Sequence, residues 1–249
     1  MTILLTNDDG IQAKSIRELK EVLSDVDNCV VVAPASQKSA SAHAISIAHD
    51  IEVSDYYYEN DFFGFQVEGT PADCVKLALC EIMKEPPAII VSGINRGPNT
   101  GVSVYYSGTV SAAREGTIAG IPSIAVSMCS CEYDNFTYAC VLVKKIVTNI
   151  LQKGLPEGIM LNINIPPLRE QEIKGIRIAR QAPSRFVEKY IHRGENKGCT
   201  RYTLTGKMEL VNAGSDNDEQ TVRDGYVSIT PLKLDLTSFS SFKEIENLI

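Results

Sequence analysis

The chain has 249 residues, 44% hydrophobic and 22% charged, a composition that excludes disordered, collagenous and membrane-bundle classes. A formal net charge of −7 at pH 7 leaves no global positive field to gather duplex nucleic acid or anionic lipid, so any phosphate must be held by local groups. The longest uncharged stretch, Gly116 to Cys131, is interrupted by Gly120 and Pro122 and falls short of the ~20 apolar residues that a membrane span needs.

The opening MTILLTNDDG has no basic segment leading into an apolar run, so no secretory leader is expected and the chain is assigned to the cytoplasm. Residues 2 to 6 read as a short buried strand. Ile11, Ile16, Leu19, Leu23 and Val26 then recur at helical spacing. CVVVA at 29 to 33, AIIV at 88 to 91 and PSIAVSM at 122 to 128 are continuous apolar runs, the pattern of strands covered on both faces of a parallel sheet. Between them, Thr70-Pro71-Ala72-Asp73 offers a helix start with a cap, a proline and an acid, and Ser107 or Thr109 can cap a second helix. A helix over Asn135 to Gln152 and a strand over Ile159 to Ile165 complete the alternation, which predicts a doubly wound α/β core.

From about Arg177 the alternation stops. YTLTGKMEL and DGYVSITPL read as β pieces and SSFKEIENLI as a terminal helix. The chain therefore divides into a core over 1–176 and a β extension with terminal helix over 177–249. The extension is read as an arm for a neighbouring subunit, with an intramolecular lid as the alternative. Seven cysteines, odd in number and mostly within apolar runs, read as buried reduced thiols.

In an open α/β sheet the ligand crevice lies at the carboxyl ends of the strands. After the first strand comes Asn7-Asp8-Asp9-Gly10, where a dinucleotide fold carries a glycine fingerprint. Adjacent carboxylates repel phosphate unless a cation sits between, although Asn7 or either Asp can instead cap the following helix. The next strand ends in a hydroxyl-rich loop containing Ser39, and AIIV ends in Ser92-Gly93-Ile94-Asn95-Arg96-Gly97. Asp8, Asp9, Ser39 and Asn95 make four oxygen ligands of the kind that Mg²⁺ or Mn²⁺ accepts. Two carboxylates cancel a divalent cation, so a bound phosphate dianion still needs donors. The Ser107-Gly108-Thr109 helix start supplies amides and hydroxyls. Arg96 reads as a surface residue, with stabilisation of transition-state charge as the alternative. The site suits phosphomonoester hydrolysis by an activated water, with Asp8 or Asp9 as an aspartyl-phosphate nucleophile in the alternative chemistry. A nicotinamide oxidoreductase lacks its GxGxxG here, and a non-catalytic nucleotide binder needs no complete metal shell.

TNDDG at 6–10, the Ser39 loop, EGTPADCV at 68–75, SGINRGPNTG at 92–101 and YSGTVSAAREG at 106–116 together resemble the survival protein SurE family, over most of the chain and as far as GYVSITPL. The resemblance implies a Rossmann-like three-layer α/β sandwich with a C-terminal β-rich extension and terminal helix. It also implies a 5'-nucleotidase acting on nucleoside monophosphates with one divalent cation per subunit, Mg²⁺ or Mn²⁺, and a homodimer or homotetramer. By motif position the metal ligands are Asp8, Asp9, Ser39 and Asn95, with Asp8 and Asp9 catalytic, and Asn99, Ser107, Gly108 and Thr109 lie near the phosphate. The extension departs from the family pattern, reading RGENKGCTRYTLTG in a chain without Trp.

Overall fold

The computed structural model describes residues 1–211 and 214–249. Along the chain run β1 (Thr2–Thr6), α1 (Lys14–Leu23), β2 (Asn28–Pro34), β3 (Val53–Tyr58), β4 (Asp61–Val67) and α2 (Pro71–Leu77). Then follow β5 (Ile89–Arg96), α3 (Gly108–Ile118), β6 (Ser123–Met128), α4 (Thr137–Lys153) and β7 (Ile159–Ile165). The C-terminal part holds β8 (Ile176–Ile178), β9 (Ser184–Asn196), β10 (Cys199–Leu210), α5 (Asp218–Arg223), β11 (Val227–Lys233) and α6 (Phe242–Glu246).

The period-2 alternation of a strand explains the layers. In β1, Ile3 and Leu5 pack with Ile16, Leu19 and Leu23 of α1 and Val143 and Val147 of α4. Leu4 points the other way, into a cluster with Cys74 and Val75 of α2 and Ala112 of α3. The sheet is thus covered on both faces, as the unbroken apolar runs predict. Helix α2 starts on the expected signal: the Asp73 amide donates to Thr70 Oγ1 at 3.1 Å and the Thr70 amide to Asp73 Oδ2 at 2.9 Å.

The nine-stranded sheet has the order β3-β4-β2-β1-β5-β6-β7-β11-β8. Its six central strands, β4 to β7 in that order, are parallel. The chain winds outward one way through β2 and the other way through β6, so the topological switch lies between β1 and β5, and a crevice opens at their carboxyl ends.

Two features go beyond the alternating units. Tyr56, Tyr57 and Tyr58 of β3 pair antiparallel with β4 across a turn in which Glu59 and Asn60 have φ of +52° and +73°. The C-terminal part is also of two kinds. β11 returns to the main sheet antiparallel to β7 and carries β8 beside it, whereas β9 and β10 form a separate hairpin. The expected terminal helix shortens to one 3₁₀ turn at Phe239–Ser241 followed by the five-residue α6. The cysteines differ from expectation: Cys74 and Cys140 are buried, but Cys80, Cys131 and Cys199 are exposed. Among the described residues no helix is long and apolar enough to cross a membrane.

Candidate metal and phosphate site

The loop after β1 is shaped by Asn7, which is wholly buried. Its Oδ1 accepts from the Gly10 amide at 3.2 Å and its Nδ2 donates to the Gly10 carbonyl at 2.9 Å. Gly10 has φ +97°, a conformation that favours glycine, and a Cβ there would meet the Ser36 backbone at 3.4 Å. Helix α1 begins after Ala13 with no side-chain cap. Neither Asp8 nor Asp9 therefore caps the helix that follows them, and the capping alternative fails for both.

Asp8 turns instead to the start of α3. Thr109 Oγ1 donates to Asp8 Oδ1 at 2.6 Å and the Thr109 amide to Asp8 Oδ2 at 3.2 Å. Asp9 accepts from the Arg96 amide at 3.2 Å and weakly from Gln37 Nε2 at 3.4 Å. Neither carboxylate forms an ion pair with Lys or Arg among the described residues. Burial pushes the Asp8 carboxyl above its ordinary range, and the two Thr109 bonds offset only part of that rise. Asp9 is raised to about 6, first by burial and then by the neighbouring Asp8 charge, against the Arg96 amide and guanidinium.

Ser39 reaches the same place from the loop after β2. That loop is stitched down by the Lys38 amide on the Asp8 carbonyl at 2.8 Å and by the Ala42 amide on the Tyr106 carbonyl at 3.0 Å. Ala40 and Ala42 take φ of +54° and +52°. The left-handed region costs an alanine roughly 1–2 kcal/mol. At the end of β5, Asn95 donates its Nδ2 to the Gly97 carbonyl at 2.8 Å, which leaves its amide oxygen free for a ligand.

Asp8, Ser39, Asn95, Arg96, Asn99, Tyr106 and Ser107 all line one cleft of about 230 Å³. A second cavity of about 410 Å³ lies on the far side of Asp9 and Arg96, lined also by Lys14 and Cys131. Ser107 caps α3, its Oγ accepting from the Val110 amide at 3.1 Å. The Gly108 amide has no acceptor among the described residues. A Cβ on Gly108 would stand 2.8 Å from Ser41 Oγ and 2.9 Å from Asp8 Cβ, so glycine is required by close packing rather than by φ. Thr109 is wholly buried behind Asp8, with both donors engaged there.

Asn99 is held by residues that sequence reading did not single out. Its amide donates to Asn164 Oδ1 at 2.9 Å, its Nδ2 to Ser127 Oγ at 2.8 Å, and its carbonyl accepts from Asn162 Nδ2 at 2.8 Å. The available signal was Asn162 and Asn164 two apart in the buried strand β7, where polar side chains on one face need partners.

A divalent cation fits this donor set. Two desolvated, mutually repelling carboxylates without a cationic partner gain from a positive charge, and the Asn95 oxygen and Ser39 hydroxyl are hard neutral ligands. Among the described residues no group of three or more His, Cys, Asp or Glu could hold a metal, so a cation here rests on two carboxylates and neutral oxygens.

The survival protein SurE family model matches residues 3–188. The chain is 42% identical over 244 residues to the 5'-nucleotidase SurE of Chlorobium chlorochromatii, covering 98% of this chain and 90% of the relative. It is 44% identical over 235 residues to that of Chlorobium luteolum, covering 94% and 91%. The crystal structure of the SurE protein from Aquifex aeolicus matches with a TM-score of 0.85 at 39% identity, over 100% of this chain and 99% of that one. On these matches, the chain belongs to the SurE family.

Proposed function

We propose that this chain is a divalent-metal-dependent 5'-nucleotidase that hydrolyses nucleoside 5'-monophosphates to nucleoside and inorganic phosphate. The observation that carries the reading is the pair Asp8 and Asp9: adjacent, desolvated and without an ion pair to Lys or Arg among the described residues, with Asp8 opening on a cleft lined by Ser39, Asn95, Asn99 and Ser107 and by one cation, Arg96. The names of its relatives, at about 40% identity over nearly the whole chain, give the substrate class.

Asp8, Asp9, the Ser39 hydroxyl and the Asn95 amide oxygen would hold one Mg²⁺ or Mn²⁺ per subunit. When bound, such a cation supplies a Lewis acid for a phosphate oxygen and lowers the pKa of its bound water. The chain's own groups do the positioning. Thr109 and the Arg96 amide fix the two carboxylates. The Ser107 hydroxyl, the Gly108 amide and the positive end of α3 receive non-bridging phosphate oxygens, where their dipoles stabilise developing negative charge. Asn99, locked by Asn162, Asn164 and Ser127, keeps its amide at the cleft wall. Hydrolysis adds one water across the phosphoester bond and releases the nucleoside hydroxyl and phosphate.

The C-terminal part, 177–249, serves subunit contact in a homodimer or homotetramer. Support comes from the apolar side chains it leaves in solvent, Tyr190, Tyr202 and Leu204 on the hairpin and Phe239, Phe242 and Leu248 at the end. The catalytic reading is tested by phosphate release from nucleoside 5'- and 3'-monophosphates after dialysis against a chelator, with and without added Mg²⁺ or Mn²⁺. Loss and recovery are expected, with 5' esters preferred. Full turnover in protein shown to be metal-free by elemental analysis sinks it.

A further inference from the structure

The connection from Pro34 to Val53 carries Ser39 without any strand or helix of its own. Loops of such length are uncommon in compact domains unless they serve a function. Around Ser39 the backbone is unfavourable, because Ala40 and Ala42 both sit in the left-handed region. A segment in that state keeps its shape only when its surroundings hold it there. Its backbone near Ser39 is tied to the rest of the chain by the Lys38 amide on the Asp8 carbonyl, the Ala42 amide on the Tyr106 carbonyl and Thr70 Oγ1 on the Ala44 carbonyl at 2.7 Å. Ser41 Oγ is buried with no hydrogen-bond partner among the described residues.

Among residues 39 to 44, one side chain makes a hydrogen bond. His43 Nε2 lies 2.8 Å from Glu115 Oε2, and a neutral or charged imidazole donates there to the carboxylate. Glu115 belongs to α3 and is 8% exposed. Its other oxygen, Oε1, takes Lys76 Nζ of α2 at 2.8 Å. One buried carboxylate therefore joins the Ser39 loop, α2 and α3. Helix α3 is also the element whose first turn holds Asp8 through Thr109. The Ser39 loop and the Asp8 carboxylate are consequently referred to one rigid body.

We propose that Glu115 and His43 are positioning residues: a latch that holds the strained Ser39 loop on α3 and sets the Ser39 hydroxyl beside Asp8 for the cation. This rests on the metal reading above for the role of Ser39. The anchoring of the loop itself stands on the contacts alone.

The test uses the full chain in five forms: wild type, Ser39→Ala, His43→Ala, His43→Gln and the double variant His43→Ala with Ala42→Gly. Two quantities are read: amide exchange by mass spectrometry in metal-free protein, and Mn²⁺ affinity from the spin-resonance signal of free Mn²⁺. In His43→Ala, exchange speeds up across 38–44 while α1 and α4 keep wild-type protection, and Mn²⁺ binds about tenfold more weakly, the scale of a lost orienting partner. His43→Gln keeps a donor and stays close to wild type. Ala42→Gly restores part of the affinity in the double variant, because glycine adopts the left-handed conformation without the steric penalty. Phosphate release by His43→Ala is low at limiting Mn²⁺ and approaches the wild-type kcat when Mn²⁺ saturates.

Unchanged exchange in 38–44 of His43→Ala overturns the latch. Weakened Mn²⁺ binding in Ser39→Ala alongside wild-type binding in His43→Ala also overturns it, and leaves the metal site standing. Wild-type Mn²⁺ affinity in Ser39→Ala overturns both the assignment of Ser39 and the latch that serves it.

Discussion

Thr109 gives both of its donors to one carboxylate: its hydroxyl reaches Asp8 Oδ1 at 2.6 Å and its amide reaches Asp8 Oδ2 at 3.2 Å. The N-terminus of α3 is thus used first to orient a buried acid. Phosphate, on the reading above, meets the neighbouring Ser107 hydroxyl and Gly108 amide. Helix start and metal ligand are one structural unit, and a change at Thr109 acts through Asp8.

Thr109→Val keeps the β-branched shape and removes the hydroxyl, leaving Asp8 Oδ1 without its short bond. The expected stability loss in urea unfolding is about 1–3 kcal/mol, the cost of an unsatisfied buried group. Mn²⁺ affinity falls by ~10- to 100-fold as the ligand loses its orienting partner. Thr109→Ser retains the donor and most of both quantities. Equal metal affinity in Thr109→Val and wild type counts against the orienting role.

Asp9 is held at about 6 in the folded chain against an ordinary value of 3.8. Between those two pH values the folded form binds more protons than the unfolded form, so this group lowers the stability of metal-free protein as pH rises from about 4 to about 6. Above that window the penalty is complete. Asp8, raised in the same direction, adds to it. Melting curves of chelated protein should therefore show Asp9→Asn more heat-stable than wild type at pH 7, with the difference vanishing near pH 4. Mn²⁺ affinity of the wild type should climb through pH 6 and then level off. Asp9→Asn should bind Mn²⁺ weakly and lose most phosphate release. Near-normal turnover in Asp9→Asn removes the carboxylate from the mechanism.

How far the sequence reveals this site depends on whether the signal is local. β1, α2 and β7 are legible because apolar runs and the Thr70-Pro71-Ala72-Asp73 cap carry their own evidence within a few residues. The Asp8, Ser39 and Asn95 loops converge because strand ends of a parallel sheet share one rim, a topological rule rather than a contact. The β3-β4 hairpin escapes the same reading. Its turn is Glu59-Asn60, not an Asn-Gly or Asp-Gly pair, and its aromatic residues sit on a sheet edge rather than in a continuous core run. β11 is legible as a β piece, but its place in the main sheet is not, because it rejoins that sheet antiparallel to β7 after the long β9-β10 excursion. Bonds such as Thr109 to Asp8 and His43 to Glu115 join residues far apart in the chain, and no spacing rule announces them.

Gly108→Ala places a methyl group 2.8 Å from Ser41 Oγ, 2.9 Å from Asp8 Cβ and 2.9 Å from Pro71 Cγ. The Ser41 hydroxyl can rotate, but Asp8 Cβ and the Pro71 ring are fixed to their own backbone, so the backbone must move. A destabilisation of about 1–3 kcal/mol follows from overpacking. Phosphate release falls further than stability alone accounts for, because the displaced groups include Asp8 and the Ser39 loop. Urea unfolding and steady-state kinetics at a temperature where the variant stays folded separate the two effects, and unaltered kinetics there would show that the packing is not coupled to the site.

The last residues pose a different question, since α6 is only five residues long and helices that short are marginal in water without a surface to dock on. Phe242 and Ile245 are each 52% exposed in the single chain and Leu248 is 76% exposed. Among the described residues this stripe stays half or more in solvent, which favours a second copy over an intramolecular lid. Deleting residues 239–249 should therefore lower the sedimenting mass while the truncated chain keeps its Mn²⁺ affinity, because Asp8, Asp9, Ser39 and Asn95 stand on β1, β2 and β5 ends remote in sequence from the tail. Melting temperature should become independent of protein concentration if the truncated chain is a monomer. An unchanged sedimenting mass after the deletion refutes the tail as a subunit contact and leaves the β9-β10 hairpin, with Tyr190, Tyr202 and Leu204 in solvent, as the surface to alter next.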